Sequence, residues 1–318
     1  MRVVAVAVPA PAAMLQDLSK RRSVALSLAV LLLALLGWAA SLSRLPPARA
    51  PTLGAVIPLS SLEAEFAEAT LRAALAVASP VVVVYADHLS DGTPEDLGYI
   101  AALRGALRGE RGLLWTPVAW HASGSSRFWV RYLRWAGFPF LDTDYVVWLD
   151  GDEVLDVARF RAWWASPRGL PASGARTAKL ANYVYFRSPL FQSVELEDSV
   201  VVCRREGLAV AHFFSDAGKE REMFFDGQGG ARMQLGVDGQ PMVHHFSWVR
   251  SKELMLKKVA AWSHKDDARD WPALVREEFS RPFSGKDFVN GHSYRTLPRP
   301  WIDEVRQRGR RRAAGETA

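Results

Sequence analysis

Three carboxylates around one glycine, Asp150-Gly151-Asp152-Glu153, follow directly on the apolar run Tyr145-Val146-Val147-Trp148-Leu149. A run of strand-favouring residues reads as a buried strand, and here it delivers acids to a sheet edge. Magnesium and manganese take hard oxygen ligands, and an ion held by one or two carboxylates completes its shell with substrate phosphates. The pattern therefore predicts a metal and diphosphate site on Asp150 and Asp152. Gly151 lets the backbone turn sharply and leaves room beside it. The plainer alternative is a strand end merely solvated by its acids. A second pair, Asp142-Thr143-Asp144, comes before the run and so marks the strand's amino end. Ligands of open α/β sheets bind beyond the carboxyl ends, which favours Asp150 and Asp152.

The other strong signal is Met242-Val243-His244-His245-Phe246-Ser247-Trp248-Val249-Arg250. Neighbouring residues of a strand point to opposite faces, so at most one of the two histidines meets a site. Neutral imidazole binds manganese, which makes His244 and His245 metal candidates, with His244 preferred. A histidine satisfied inside the core is the competing reading. Ser251 can cap the helix that follows, whose apolar face is Met255, Val259 and Trp262, with Lys252, Lys257 and Lys258 on the wet side. Arg250 and these lysines are secondary candidates for a diphosphate.

The elements that must position these groups are legible upstream. Gly54 to Leu59 reads as a strand, Ser60 or Ser61 as the cap of a helix through Leu62, Phe66, Ala69, Ala73 and Val77, and Val81 to Tyr85 as a second strand. Strand, helix and strand within about thirty residues make a βαβ unit and hence a parallel sheet. Asp87-His88-Leu89-Ser90-Asp91-Gly92-Thr93-Pro94-Glu95 is a turn at the second strand's carboxyl end. A helix through Leu97 to Leu107, a strand over 113–119 and a helix over 128–135 continue the alternation. Strands are expected again over 177–187 and 199–205, and a short helix over 271–279. The expected fold class is α/β, an open, mostly parallel twisted sheet flanked by helices and preceded by one membrane-spanning helix.

Composition bounds the rest. The chain has 318 residues, 49% of them hydrophobic, enough for a sizeable core. Its net charge of +6 is uneven: residues 1–49 carry +5, residues 306–318 carry +4, and the body between them −3. That distribution points away from nucleic acid, because the positive charge sits at the two ends. Cys203 is the only cysteine, which excludes an intrachain disulfide and a cysteine-built zinc site. Residues 23–42 are uncharged and rich in leucine, alanine and valine, long enough to cross a bilayer, with Lys20-Arg21-Arg22 on their amino side. The positive-inside rule then leaves residues 1–22 cytoplasmic and exports the large domain, into a Golgi-like lumen in a eukaryote. A cleaved signal peptide and secretion is the rival. Residues 43–53, with Pro46, Pro47 and Pro51, form a linker, residues 54–305 the domain, and residues 306–318 a basic disordered tail.

Ala55-Val56-Ile57-Pro58, then Asp87 through Thr93, then Trp148-Leu149-Asp150-Gly151-Asp152-Glu153 resemble, in order and spacing, the nucleotide-binding half of family 2 glycosyltransferases with the GT-A fold. The helix after Arg250, with His264 following Trp262, is reminiscent of the C-terminal part of family 17 N-acetylglucosaminyltransferases. The resemblance implies a nucleotide-diphosphate-sugar donor, a divalent metal (Mn2+ or Mg2+), and a glycan, lipid or protein acceptor, without an obligate protein partner. It makes Asp87 the acid that contacts the base, Asp91 a ribose or structural acid, and Asp150 and Asp152 the donor and metal ligands. Pro58 lies where the first strand meets the nucleotide. Arg127, in Ser125-Ser126-Arg127-Phe128, stands where Ala-Arg-Asn is common, and His88-Leu89 replace the family's usual short pair. A late histidine completes the metal shell in such enzymes. A Glu-Asp pair commonly supplies the acceptor's general base, for which Glu197 and Asp198 are the candidates. Two further readings stay open, a metal-dependent phosphohydrolase or nuclease and an inactive sugar-nucleotide binding module.

Overall fold

The computed structural model describes residues 49–122, 124–214, 221, 224, 230–265 and 268–313. Residues 23–42, expected to span a membrane, lie outside the described residues, as do 1–22 and 43–48. Among the described residues no helix is long and apolar enough to cross a bilayer.

The first half of the domain is the alternating unit that the hydrophobic pattern predicts. Strand β1 (Leu53–Pro58) leads through a short 3-10 turn into helix α1 (Ala64–Leu75), then β2 (Val81–Ala86), α2 (Leu97–Ala106), β3 (Leu113–Val118), α3 (Ser126–Gly137) and β4 (Tyr145–Trp148). These four strands are all parallel, side by side in the order β3-β2-β1-β4. The 3-10 turn ahead of α1, and helices α2 and α3, start where a side chain satisfies a free backbone N–H. Ser60 and Glu63 form a reciprocal capping box, Asp96 accepts from Tyr99 N–H, and Ser125 accepts from Phe128 N–H. Alternate residues of β1 serve opposite faces: Ala55 and Ile57 join the core under α1 and α2, while Val56 joins the one beneath α3 with Val84 and Trp148. Gly137 is required at the end of α3, since a Cβ there would come within 2.7 Å of Val56.

Past β4 the sheet changes character, which corrects the expectation of a mostly parallel sheet. After β5 (Glu153–Leu155) and helices α4 (Val157–Trp164) and α5 (Leu170–Ser173) come β6 (Thr177–Phe186), β7 (Ser188–Ser193) and β8 (Glu197–Arg204). β8 runs antiparallel to β4, and β6 antiparallel to both β8 and β7. Short connections between β6, β7 and β8 leave no room for a crossover helix, so neighbouring strands must reverse. Helix α6 (Val210–Phe214) and strand β9 (Ala231–Gln234) follow, and then β10 (Val243–Trp248), which lies parallel to β6 and antiparallel to β5. Helices α7 (Lys252–Ala261) and α8 (Trp271–Glu278) precede the edge strand β11 (Tyr294–Thr296) on β7.

Helix α9 spans Trp301–Ala313, so residues 306–313, expected as part of a disordered tail, are helical. The reason is packing and charge. Ile302 is buried, Trp301 stacks on His244, and Arg306 lies over Phe66 and near Glu65. The linker also ends earlier than expected, because Thr52 N–H and Oγ1 both donate to Asp144.

Candidate functional site

A sheet of order β3-β2-β1-β4 has a topological switch point between β1 and β4, where the connections leave in opposite directions and open a crevice at the strands' carboxyl ends. A cleft of about 290 Å3 lies there. Its floor comes from the end of β1 (Pro58, Ser60), the end of β2 (Ala86, His88), the end of β4 (Asp150, Asp152) and β10 (His245, Ser247). Asp142 and Asp144 stand at the opposite end of β4, where Asp144 ties down Thr52.

The two aspartates differ in their partners. Each oxygen of Asp150 meets an arginine, Oδ1 with Arg134 at 2.6 Å and Oδ2 with Arg221 at 3.1 Å. Burial opposes its ionisation, but Arg221 and Arg134 outweigh that and hold its pKa below the usual carboxylate value. Asp152 puts two of its basic partners on one oxygen, with Arg250 at 2.7 Å and Lys258 at 3.1 Å from Oδ2. Burial again resists the charge, and Lys258, His245 and Arg250 override it to keep the acid well below its ordinary pKa. Asp152 Oδ1 faces His245 Nε2 at 3.6 Å. Between Asp150 and Asp152, Gly151 is needed for space: a Cβ would come within 2.5 Å of Glu63 Oε2 and 3.0 Å of Leu59. Burial first, and Asp152 second, raise the Glu63 carboxyl to about 8, so it is mainly protonated at neutral pH.

Register on β10 separates the two histidines. His245 pairs with Glu153 across the β10–β5 ladder, and Phe246 N–H donates to the Asp152 carbonyl at 2.9 Å, which sets His245 beside Asp152. Burial alone would lower the His245 pKa, but the Asp152 contact and Glu153 raise it. His244, the expected metal ligand, points to the other face. It meets the Tyr185 hydroxyl at 2.7 Å, stacks on Trp301 with 3.4 Å between ring centres, and is held neutral by burial. It is a core residue.

The donor set fits a divalent ion. Two donors 3.6 Å apart, Asp152 Oδ1 and His245 Nε2, can share one ion at metal–ligand distances of about 2.1 Å. Both Asp150 oxygens are already engaged by arginine, so Asp150 orients basic groups where a ligand role was expected. Among the described residues no group of three His, Cys, Asp or Glu side chains is arranged around a common point. An ion held here would draw its remaining ligands from phosphate and water.

Several expected donor-binding residues sit elsewhere. Asp87 does not line the cleft; its carboxylate accepts from Trp120 N–H at 2.8 Å and lies 3.0 Å from His88 Nδ1. The His88 contact and then the Trp120 N–H lower its pKa. Asp91 accepts from the N–H and hydroxyl of Thr93 and so closes the turn. Arg127 is exposed on the first turn of α3, away from the lining. Asp198 is committed to Lys179 and Arg232. Glu197 accepts from His292 Nε2 at 2.8 Å and from Asn290. It lies near enough to add to the raised pKa of His245.

Three side chains of the cleft escaped sequence reasoning, Arg134, Arg221 and Glu63, and a fourth, Lys258, was only a secondary candidate for a diphosphate. Lys258 was placed on the wet side of α7, yet it is three residues after Met255 and four before Trp262, hence on their face. Its ammonium donates to Asp152 and to the Ser247 hydroxyl and carbonyl. Burial and Arg250 lower its pKa. Glu63 carried a signal as well, three residues after Ser60. Arg221 had none, being brought in by the tertiary fold alone.

No family model matches the chain, and no curated protein sequence matches it. Solved structures share parts of its course. S. aureus TarS residues 1–349 align over 72% of this chain and 73% of that one, at 13% identity and a TM-score of 0.38. The mannosyltransferase PcManGT of Pyrobaculum calidifontis, in complex with GDP-Man and Mn2+, aligns over 72% and 68%, at 16% identity and 0.39. Glucosyl-3-phosphoglycerate synthase of Mycobacterium tuberculosis, in complex with Mn2+, UDP and phosphoglyceric acid, aligns over 78% and 87%, at 15% identity and 0.36.

Proposed function

We propose that this chain is a metal-dependent glycosyltransferase of GT-A type that moves a hexosyl or N-acetylhexosaminyl group from a nucleotide-diphosphate-sugar to an acceptor hydroxyl. One observation carries the reading. At the switch point of the sheet, Asp152 and His245 face each other with two donors that one ion could share, while Arg134, Arg221 and Lys258 line the same cleft. A bound Mn2+ or Mg2+ would offset the negative charge that grows on a departing diphosphate. The chain's own part is to hold that diphosphate. Arg134 and Arg221 are braced by Asp150, and Lys258 by Asp152 and Ser247, so their positive charge is fixed before a ligand arrives. Apolar walls from Leu59, Val130 and Leu133 keep water from part of the cleft.

On the acceptor side Glu197 is the proton acceptor we favour, with His292 and Asn290 fixing its carboxylate. Asp198 is spent on Lys179 and Arg232, which removes it from that role. A phosphohydrolase built on two metals needs more converging acids than Asp152 and His245 provide. We also infer that residues 23–42 tether the enzyme to a membrane with its domain exported, a protease-protection assay on intact vesicles being the check.

The test of the site is calorimetry of the full chain with UDP- and GDP-sugars, with and without Mn2+. Binding that requires Mn2+ and disappears in Asp152→Ala and in Asp152→Asn supports the assignment. Undiminished binding in the folded Asp152→Asn protein rules the site out.

A further inference from the structure

We propose that the end of the domain opposite the cleft is a docking surface for an anionic lipid bilayer. The inference draws on the membrane tether proposed for residues 23–42. Strands β1 to β4 all begin at this end, and β8, antiparallel to both β4 and β6, finishes there beside the start of β6. Hydrogen bonds join the loops into one surface: Ser79 N–H donates to the Leu53 carbonyl, Arg205 N–H to that of Asp144, and Arg204 N–H to that of Arg176. The Asp144 carboxylate in turn holds Thr52, just ahead of β1.

Arginine is concentrated here. Arg108, Arg111, Arg168 and Arg176 are exposed and Arg204 and Arg205 half-buried, although residues 50–305 carry −3 overall. Of the acids beside them, Glu110 pairs with Arg72 and Asp144 with Thr52, while Asp142 and Glu206 are exposed. Arg108, Arg111 and Arg168 have no carboxylate partner among the described residues. Apolar side chains stand among these charges: Phe140, in the turn before β4, is 52% exposed, and Leu114, near the start of β3, 41%. Guanidinium groups attract anionic headgroups, each contributing about fivefold to partitioning, and exposed aromatic side chains enter the interfacial layer. A phosphate backbone of nucleic acid would match the arginines but offer Phe140 and Leu114 nothing apolar to enter. Chain connectivity favours the same end. β1 begins only eleven residues after residue 42, a reach of at most about 40 Å. The cleft lies at the far end of a strand of 6 residues, about 20 Å further from that attachment, so docking leaves it open to solution.

Spin labels on the full chain, reconstituted in vesicles, test this. Cys203 is buried, so a cysteine placed at Phe140, or at Leu97 on the cleft side, is labelled selectively. In vesicles of phosphatidylcholine with about a third phosphatidylglycerol, the label in Phe140→Cys should gain collisions with lipid-dissolved oxygen and lose them with a water-soluble nickel chelate. The label in Leu97→Cys, where the native side chain is 44% exposed, should not change. Adding Arg108→Glu, Arg111→Glu and Arg168→Glu should abolish the shift at 140, since three arginines are worth about 100-fold in the docked population. Raising salt from about 0.1 M to 1 M, which cuts the screening length from about 10 Å to 3 Å, should shrink it in the unreversed protein. Equal nickel exposure at 140 and 97, a shift as large on phosphatidylcholine alone, or one that survives both charge reversal and salt overturns the proposal. Immobilisation of the 140 label by duplex DNA and not by vesicles would overturn it in favour of nucleic acid. If alkaline carbonate strips the chain from the vesicles, the tether of residues 23–42 fails, and docking stands or falls by the same labels on added vesicles.

Discussion

The two halves of this sheet build their share of the cleft in different ways. In the parallel half, β1, β2 and β4 all run in one direction, so residues just past each strand end, Ser60, His88 and Asp150, reach the same edge. In the mixed half, proximity is set by pairing and by helix face, and adjacent residues part company. His245 joins Asp152 while His244 is buried on Tyr185 and Trp301. Lys258 joins Asp152 while Lys257 stays exposed, and Glu197 meets His292 while Asp198 meets Lys179. Strand ends suffice to read a site in the first region; the second requires knowing which face each residue occupies.

Paired substitutions break that comparison most directly. Lys258→Met leaves the buried Asp152 with one basic partner fewer, and should cost about 3 kcal/mol of unfolding free energy in urea titrations. Lys257→Met should stay within about 0.5 kcal/mol. Equal effects would mean that the face assigned to α7 is wrong.

The histidines come next. His245→Ala should weaken manganese-dependent nucleotide binding by about 10- to 100-fold, as loss of one of two protein donors requires. His244→Ala should leave that affinity alone and cost about 2 kcal/mol of stability, through the lost stack and the lost acceptor of the Tyr185 O–H, which keeps only the Gln192 N–H. Binding calorimetry and thermal unfolding on both variants separate the roles, and a swapped outcome would reverse the register of β10.

A smaller effect sharpens the comparison in the parallel half. The folded-state pKa of Glu63, about 8, lies above its ordinary 4.5, so the folded protein binds this proton more tightly than the unfolded one. Its contribution is greatest below the lower value and is lost as pH rises through the upper one. Wild-type stability should therefore fall between about pH 5 and about pH 8 more steeply than that of Glu63→Gln. Parallel pH profiles for the two proteins would show that Glu63 ionises normally.

Much of the parallel half was legible in the sequence, because β1, β2 and β4 are buried on both faces and read as continuous apolar runs, and Ser60 marks the turn into α1. The choice of Asp150 and Asp152 over Asp142 and Asp144 needed only chain direction. The antiparallel turn after β4 was less legible. The strands Ser188–Ser193 and Tyr294–Thr296 are short and mixed in composition, and they are strands because β6 and β7 offer them a free edge. Arg127 lies away from the lining because a motif position says nothing about where a loop turns its side chains.

The sequence by itself determined where acids leave the sheet, since hydrophobicity along a strand and the direction of the chain are local properties. The fold alone decided which cations meet those acids and which histidine joins them. Arg134, Arg221, Arg250 and Lys258 converge on Asp150 and Asp152 from distant parts of the chain. A buried carboxylate accepts whatever partner the packing brings, and no spacing in the chain encodes that encounter.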